Sequence, residues 1–357
     1  MRTVSGRTPA LSCSSGVICR WVVEAGWQQS ERGARLDGFA DRNWRTITIG
    51  LVNNMPDSAV AATQRQFTRL LEDASGELDV RLSLLALESV PRAAQARRAM
   101  ADDYAPASAL KAARLDALVV TGAEPCAADL REEPFWEELG FVLEWAAENT
   151  ISSLLSCLAA HAEVLRSDGV ARRPLARKRA GVFAVDVVAD HELVRGLEPR
   201  YRALHSRWND LDEAKLTEKG YRVLARSPEC GVDLFVRKAR SLLVFLQGHP
   251  EYEADTLARE HRRDLLRFLR GEAASAPNSP TNYYPPEAAA AVTNFARRAM
   301  ATPEAAIAAG FPVSALSLDD EPWRQAGVQL VHNWLGLVAR RKAARSAATF
   351  AVARWGG

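Results

Sequence analysis

Ile151-Ser-Ser-Leu-Leu-Ser-Cys157-Leu-Ala-Ala-His-Ala-Glu-Val-Leu165 passes from an apolar, β-leaning run into an alanine-rich helical pattern with no turn residue between. A cysteine at such a junction sits on a tight elbow, its sulfur raised above the free N–H groups of the helix. Those groups and the helix dipole favour thiolate over thiol, and the thiolate is the nucleophile. The same stretch also suits a small buried hydrophobe, since free cysteine is among the most buried residue types. On this stretch alone burial is the commoner outcome. The rest of the chain changes the balance.

Working towards the amino terminus, Leu115-Asp-Ala-Leu-Val-Val-Thr-Gly122 is nearly all apolar, as expected of a parallel strand covered on both faces. Residues 44–54 carry the β-branched alternation of a first strand, broken by Asn-Asn-Met-Pro-Asp57. Residues 78–87 read as another strand. Between these runs, residues 59–71 and 133–149 show helical spacing, with Val60, Phe67, Leu70 and Leu71 on one face of the first and Phe135, Leu139, Val142 and Leu143 in the second. Strand and helix in alternation predict a doubly wound, mostly parallel α/β sheet. Ligand sites in such sheets lie at the carboxyl ends of the strands. The loops at residues 53–57, at 122–126 and at Cys157 fall there together.

Towards the carboxyl terminus the pattern changes. Residues 181–188, 202–208, 221–227, 232–238 and 242–247 are short runs separated by turn residues, and Ser-Pro-Glu-Cys-Gly231 predicts a hairpin. All five read as antiparallel additions on one side of the sheet. Residues 253–269 form a strongly amphipathic helix pattern. Pro, Ser and Asn make 273–286 a loop or linker, and helical patterns follow at 287–300 and 325–341. The division expected is an N-terminal extension over 1–42, disordered or an unused upstream start, then a catalytic domain over 43–272. A linker and alanine-rich helical segment over 273–357 complete it.

The 357 residues can bury a full core, and 48% apolar and 25% charged residues are those of a soluble globular protein. A net charge of +2 with both signs interspersed implies no general field for nucleic acid or an anionic membrane. No apolar run is long enough to span a bilayer. Five scattered cysteines, Cys13, Cys19, Cys126, Cys157 and Cys230, form no zinc-type spacing and predict free thiols, no metal and a cytoplasmic setting.

A thiol nucleophile needs a base to move its proton, and the base needs an acid to fix its tautomer. Gln247-Gly248-His249-Pro250-Glu251, closing the last β-run, supplies both from one loop. A surface His-Glu pair in a turn would look the same in isolation. Beside the Cys157 elbow, the pair predicts a Cys157–His249–Glu251 triad. His161, one helical turn past Cys157, points along the helix flank and reads as half-buried. His191 reads as surface, and His205-Ser206-Arg207 fits either a substrate loop or a satisfied turn.

Taken together, Ser156-Cys157, Lys178 in Lys-Arg-Ala-Gly-Val-Phe183, His205-Ser-Arg207 and Gly248-His-Pro-Glu-Tyr252 resemble the homoserine O-acyltransferase family of the O-succinyltransferase type. The resemblance runs from about Thr46 to about Arg270. It takes in Asn54-Met-Pro56, Gln66-Phe67, Val120-Thr-Gly-Ala123 and Leu143-Glu-Trp145, and continues faintly through Asn282-Tyr-Tyr-Pro285 and Asn333-Trp-Leu335. It implies a flavodoxin-like fold of the class I glutamine amidotransferase kind and a cytoplasmic enzyme of methionine biosynthesis. The implied reaction moves an acyl group from succinyl-CoA or acetyl-CoA to L-homoserine, with no permanently bound cofactor and a homodimer as the common state. Cys157 would carry the acyl group as a thioester, with His249 as base, Glu251 orienting it, and Lys178, Ser206 and Arg263 binding substrate. The N–H groups of Leu158 and Gly122 would meet the oxyanion.

The chain departs from the family pattern in two loops. Asp57-Ser58 stand where lysines are usual after Met-Pro, and Cys126 stands at the position associated with acyl size. A small, neutral Cys126 leans towards succinyl, and the altered loops leave serine or another hydroxy amino acid open as acceptor. The rival readings are a glutamine amidotransferase-type hydrolase and, more distantly, a cysteine peptidase. The former usually has glycines flanking its cysteine, where this chain has Ser156 and Leu158. Arg263 also belongs to a basic run, 259–263, that would suit a plain helix surface.

Overall fold

The alternating run of the first strand becomes β1 (Thr46–Val52), and the apolar run at 115–122 becomes β4 (Ala117–Val120), buried throughout. In the computed structural model, which describes residues 43–305, 310–312 and 321–355, these lie side by side. The expectation for residues 1–42, with Cys13 and Cys19, falls outside the described residues.

Around this pair are β2 (Asp79–Ala86), β3 (Tyr104–Pro106), β5 (Ser152–Ser156), β6 (Arg173–Val187), β7 (Arg200–Asp210), β8 (Arg222–Ser227), β9 (Gly231–Lys238) and β10 (Leu242–Leu246). Among the described residues they form one ten-stranded sheet in the order β3-β2-β1-β4-β5-β10-β9-β8-β6-β7. The helices are α1 (Val60–Ser75), α2 (Ala94–Met100), α3 (Trp136–Asn149), α4 (Leu158–Asp168), α5 (Glu213–Glu218), α6 (Thr256–Leu269), α7 (Pro286–Ala301) and α8 (Arg324–Trp355). α2 and β3 are too short to show a period in the sequence and were not expected.

The doubly wound α/β expectation holds, with one correction. The last run, β10, is not an antiparallel addition at the side of the sheet. It pairs in parallel with β5, Leu246 opposite Ser156, and antiparallel with β9 on its other edge. The four runs before it are antiparallel as expected. A short apolar run between turns looks the same in either orientation, so only the pairing reveals it.

Both faces are covered. Along β10, Leu242, Val244 and Leu246 join a core with Ile47, Ile49, Phe67 and Leu70, while Leu243 and Phe245 join the opposite core with Val142, Leu143 and Ala160. This alternation within an unbroken apolar strand is the signature of two-sided burial. The segment after residue 272 packs on the same scaffold. Trp334 of α8 is fully buried among the β1 side chains, its indole N–H donating to Ser152 Oγ at 2.9 Å. Near the site, Gly181 (φ +148°) lets the chain at Thr281 approach so closely that a Cβ would lie 2.3 Å from the Thr281 carbonyl oxygen. That contact anchors the 273–286 loop beside β6.

Candidate active site

Parallel pairing of β1, β4, β5 and β10 brings their carboxyl ends to one edge of the sheet. Asn54 N–H donates to Thr121 Oγ1 at 2.9 Å, joining the first two loops. Cys157 N–H donates to Leu246 O at 2.7 Å, extending the β5–β10 ladder by one residue past the strand. There the ladder ends, and Cys157 takes φ 51° and ψ −108°, one of two non-glycine residues at positive φ among the described residues. A strained backbone of this kind costs on the order of 1–3 kcal/mol and clusters at functional sites. It turns the chain directly from β5 into α4, with Cys157 as the residue that precedes the first turn of the helix.

The candidate base follows the neighbouring strand, β10. His249 is buried, and its Nδ1–H donates to Glu251 Oε1 at 2.8 Å, leaving Nε2 as a buried nitrogen with no well-formed hydrogen bond. Burial alone would depress the imidazole, but the charges of Glu251 and the Cys157 thiolate outweigh it and raise its pKa well above 6.5. The structure therefore brings Cys157, His249 and Glu251 together.

Cys157 and His249 open onto a cavity of about 470 Å³, within the size range of small-molecule sites. Gly122, Leu158, Lys178, Ser206 and Arg263 also line it. Gly122 faces the start of α4, where a Cβ on it would stand in ordinary contact with the Leu158 nitrogen at 3.5 Å. Leu158 is the first residue of α4, so its N–H has no intrahelical acceptor. Cys126 is exposed and is not part of the lining; Glu124 and Pro125 of the same loop are.

Two polar clusters support the site. In the first, Lys178 Nζ lies 2.8 Å from both Glu260 Oε2 and Asp264 Oδ2. Ser206 Oγ donates to the same Glu260 oxygen, and Tyr252 donates to Glu260 Oε1 at 2.6 Å. Burial would raise the Glu260 carboxyl, yet Lys178 and the hydroxyl donors hold it down at about 2, so it stays ionised. Glu260 was missed in the sequence because a carboxylate on an amphipathic helix reads as solvated; its spacing three residues before Arg263 was the available signal.

The second cluster lies beneath the catalytic loop. His205 is fully buried, 3.1 Å from Asp233 Oδ1 and 3.3 Å from Cys230 Sγ, and Tyr201 donates to Asp233 Oδ2 at 2.5 Å. Of the two readings of His205-Ser206-Arg207, His205 is thus a satisfied interior residue while Ser206 faces the cavity. Burial pushes the Cys230 thiol up to about 12, so this thiol is no second nucleophile. His161 is buried, not half-buried, at the cavity wall, where Gln247 Oε1 meets its Nε2 at 2.8 Å and burial lowers its pKa to about 4.

Gly248 is where this support meets the base. A Cβ there would stand 2.6 Å from Asp233 Oδ1 and 3.1 Å from the Leu204 carbonyl oxygen. Gly248→Ala is expected to displace His249 and lower kcat about 10²-fold, the scale of an ångström misplacement. Steady-state kinetics beside a melting curve would check this. Unchanged kcat would mean that the loop absorbs the methyl group without moving the base.

The chain is also similar to known proteins. The sequence profile of homoserine O-succinyltransferase matches residues 35–344. The chain belongs to the homoserine O-succinyltransferase family. It is 49% identical over 300 residues to a homoserine O-succinyltransferase of Methylorubrum extorquens, covering 84% of this chain and 89% of that one. A Rhodopseudomonas palustris homoserine O-succinyltransferase is 46% identical over 82% of this chain and 88% of that one. A glutamine amidotransferase structure from Thermotoga maritima aligns at 13% identity with a TM-score of 0.42, covering 82% of this chain and 98% of that chain. Membership makes the chain an acyltransferase. Among the described residues no helix is long and apolar enough to cross a membrane.

Proposed function

We propose that the protein transfers a succinyl group from its CoA thioester to the hydroxyl of L-homoserine, in methionine biosynthesis, through a thioester on Cys157. The observation that carries the mechanism is the buried His249 Nε2, free of any well-formed bond, beside a cysteine held at φ 51° on a strand end.

In the first half-reaction the Cys157 thiolate attacks the thioester carbonyl. The N–H groups of Leu158 and Gly122 meet the oxyanion, and its collapse expels the CoA thiolate, which takes the proton held on His249. In the second, His249 accepts the proton of the homoserine hydroxyl as the oxygen attacks the Cys157 thioester. Collapse releases the O-acyl amino acid and restores the thiolate. Glu251 keeps the imidazole in one tautomer and stabilises its charged form throughout.

The acceptor is an amino acid, which carries a cation and an anion together. Glu260 and Arg263, three residues apart on α6 and both facing the cavity, suit its ammonium and carboxylate groups. Lys178 and Ser206 act mainly through Glu260, fixing its charge and position. The test is a matrix of succinyl-CoA, acetyl-CoA and butyryl-CoA against homoserine and serine, read by free CoA release. Homoserine with succinyl-CoA is expected to be fastest. Release of ammonia from glutamine without any acyl transfer would overturn the reading.

A further inference from the structure

Among the described residues, five Lys or Arg side chains line the cavity, and four are neutralised by carboxylates at close range. Lys178 pairs with Glu260 and Asp264, Arg207 with Asp210 at 2.8 Å, Arg263 with Asp264 at 2.9 Å, and Arg267 with Glu124 at 2.6 Å. Arg172, half-buried between α4 and β6, is different. Its Nη2 donates to the carbonyl oxygens of Ala128 at 3.1 Å and Ala127 at 3.3 Å, and among the described residues it forms no ion pair. Nε and Nη1 likewise have no protein acceptor among those residues.

Taking a guanidinium half out of water without a counter-ion is unfavourable, and the fork of N–H donors is shaped to grip a carboxylate bidentately. The nearest acidic groups do not fill that role. Glu133 is engaged by the Ala127 N–H at 2.6 Å, and Asp129 is held by Arg131 at 2.6 Å. Burial depresses the Arg172 pKa, while the charges of Glu133, Asp129 and Cys157 pull it back, which places the guanidinium within electrostatic reach of the nucleophile.

Position fixes which substrate group it meets. Arg172 grips the loop after β4, the same loop that lends Gly122, Ala123, Glu124 and Pro125 to the cavity wall. The α6 side, with Glu260 and Arg263, is given to the acceptor amino acid. We propose that Arg172 binds the free carboxylate at the far end of the acyl group on Cys157, selecting dicarboxylic acyl thioesters over neutral acyl thioesters of the same length. This rests on the acyl-transfer reading above and extends it to the residue that sets donor choice.

The test compares succinyl-CoA with butyryl-CoA, which differ in the terminal carboxylate, for wild type, Arg172→Gln and Arg172→Lys. The rate of Cys157 acylation is read by intact mass and the homoserine KM by steady-state kinetics. Arg172→Gln is expected to lower the succinyl-over-butyryl preference about 10–10²-fold, the scale for losing a charged hydrogen-bonded partner, with the homoserine KM unchanged. Arg172→Lys keeps the charge without the fork and is expected to fall between. Equal losses with both donors would make Arg172 a mere brace for the loop, and a rise in homoserine KM alone would move it to the acceptor side; either overturns the proposal. A wild type acylated by neither donor would instead bring down the acyl-transfer reading on which it rests.

Discussion

Cys157→Ser is expected to lower acyl transfer by at least about 10³-fold and to remove the acyl mass increment that succinyl-CoA leaves on the wild-type chain. The expectation follows from the chemistry of the two side chains. Sulfur is intrinsically the stronger nucleophile, whereas a serine hydroxyl at the same place relies on full deprotonation by His249 during attack. No other described thiol can take over. Cys230 is buried, its thiol is pushed up to about 12, and Cys126 is exposed outside the cavity lining. Activity in Cys157→Ser within tenfold of wild type, or an adduct mapping elsewhere, would displace Cys157 as the nucleophile.

The second large effect concerns the base. His249→Asn is expected to cost on the order of 10²–10⁴-fold in kcat, the usual range for a general acid–base. Glu251→Gln should cost less, since the imidazole remains but its tautomer and charge are no longer held. The pair also sets a pH signature. The folded-state pKa of His249 lies above its ordinary 6.5, so the ion pair's stabilisation is fully present below that value and is lost as pH rises through the raised folded-state pKa. Glu251→Gln is therefore expected to lower Tm most near about pH 6 and progressively less in alkaline buffer. A Tm difference that is flat or grows with pH would show that the His249–Glu251 pair is not an ion pair in the folded protein.

Much of this site could be read from the chain itself. The unpunctuated passage from Leu155 to Ala159 forces an elbow, the all-apolar run around Val119 demands two-sided cover, and His249-Pro250-Glu251 encodes base and orienter within one turn. What escaped was information held only in three dimensions. The orientation of β10 depends on its partner, not on its own residues. The identity of Cys126 says nothing of which way its loop turns, and the loop presents Glu124 and Pro125 instead. Glu260, Asp264 and Arg172 carry no signal of burial in the sequence, because burial of an ionised group is decided by partners far away in the chain. His205 could not be assigned from spacing, since the same three residues place one side chain in the interior and the next in the cavity.

The β5–β10 ladder also says something about how the enzyme comes into being. Ser152 and Leu242, hydrogen-bonded at the start of that pairing, are 90 residues apart in the chain. Cys157 and His249 thus meet only after a long excursion has been closed, and that entropy must be spent before the contacts repay it. The elbow itself leans on that pairing, since the Cys157 N–H is bonded to the Leu246 carbonyl of β10. Until β5 and β10 meet, Cys157 and His249 stay apart, so a chain that has not closed this pairing holds no assembled triad.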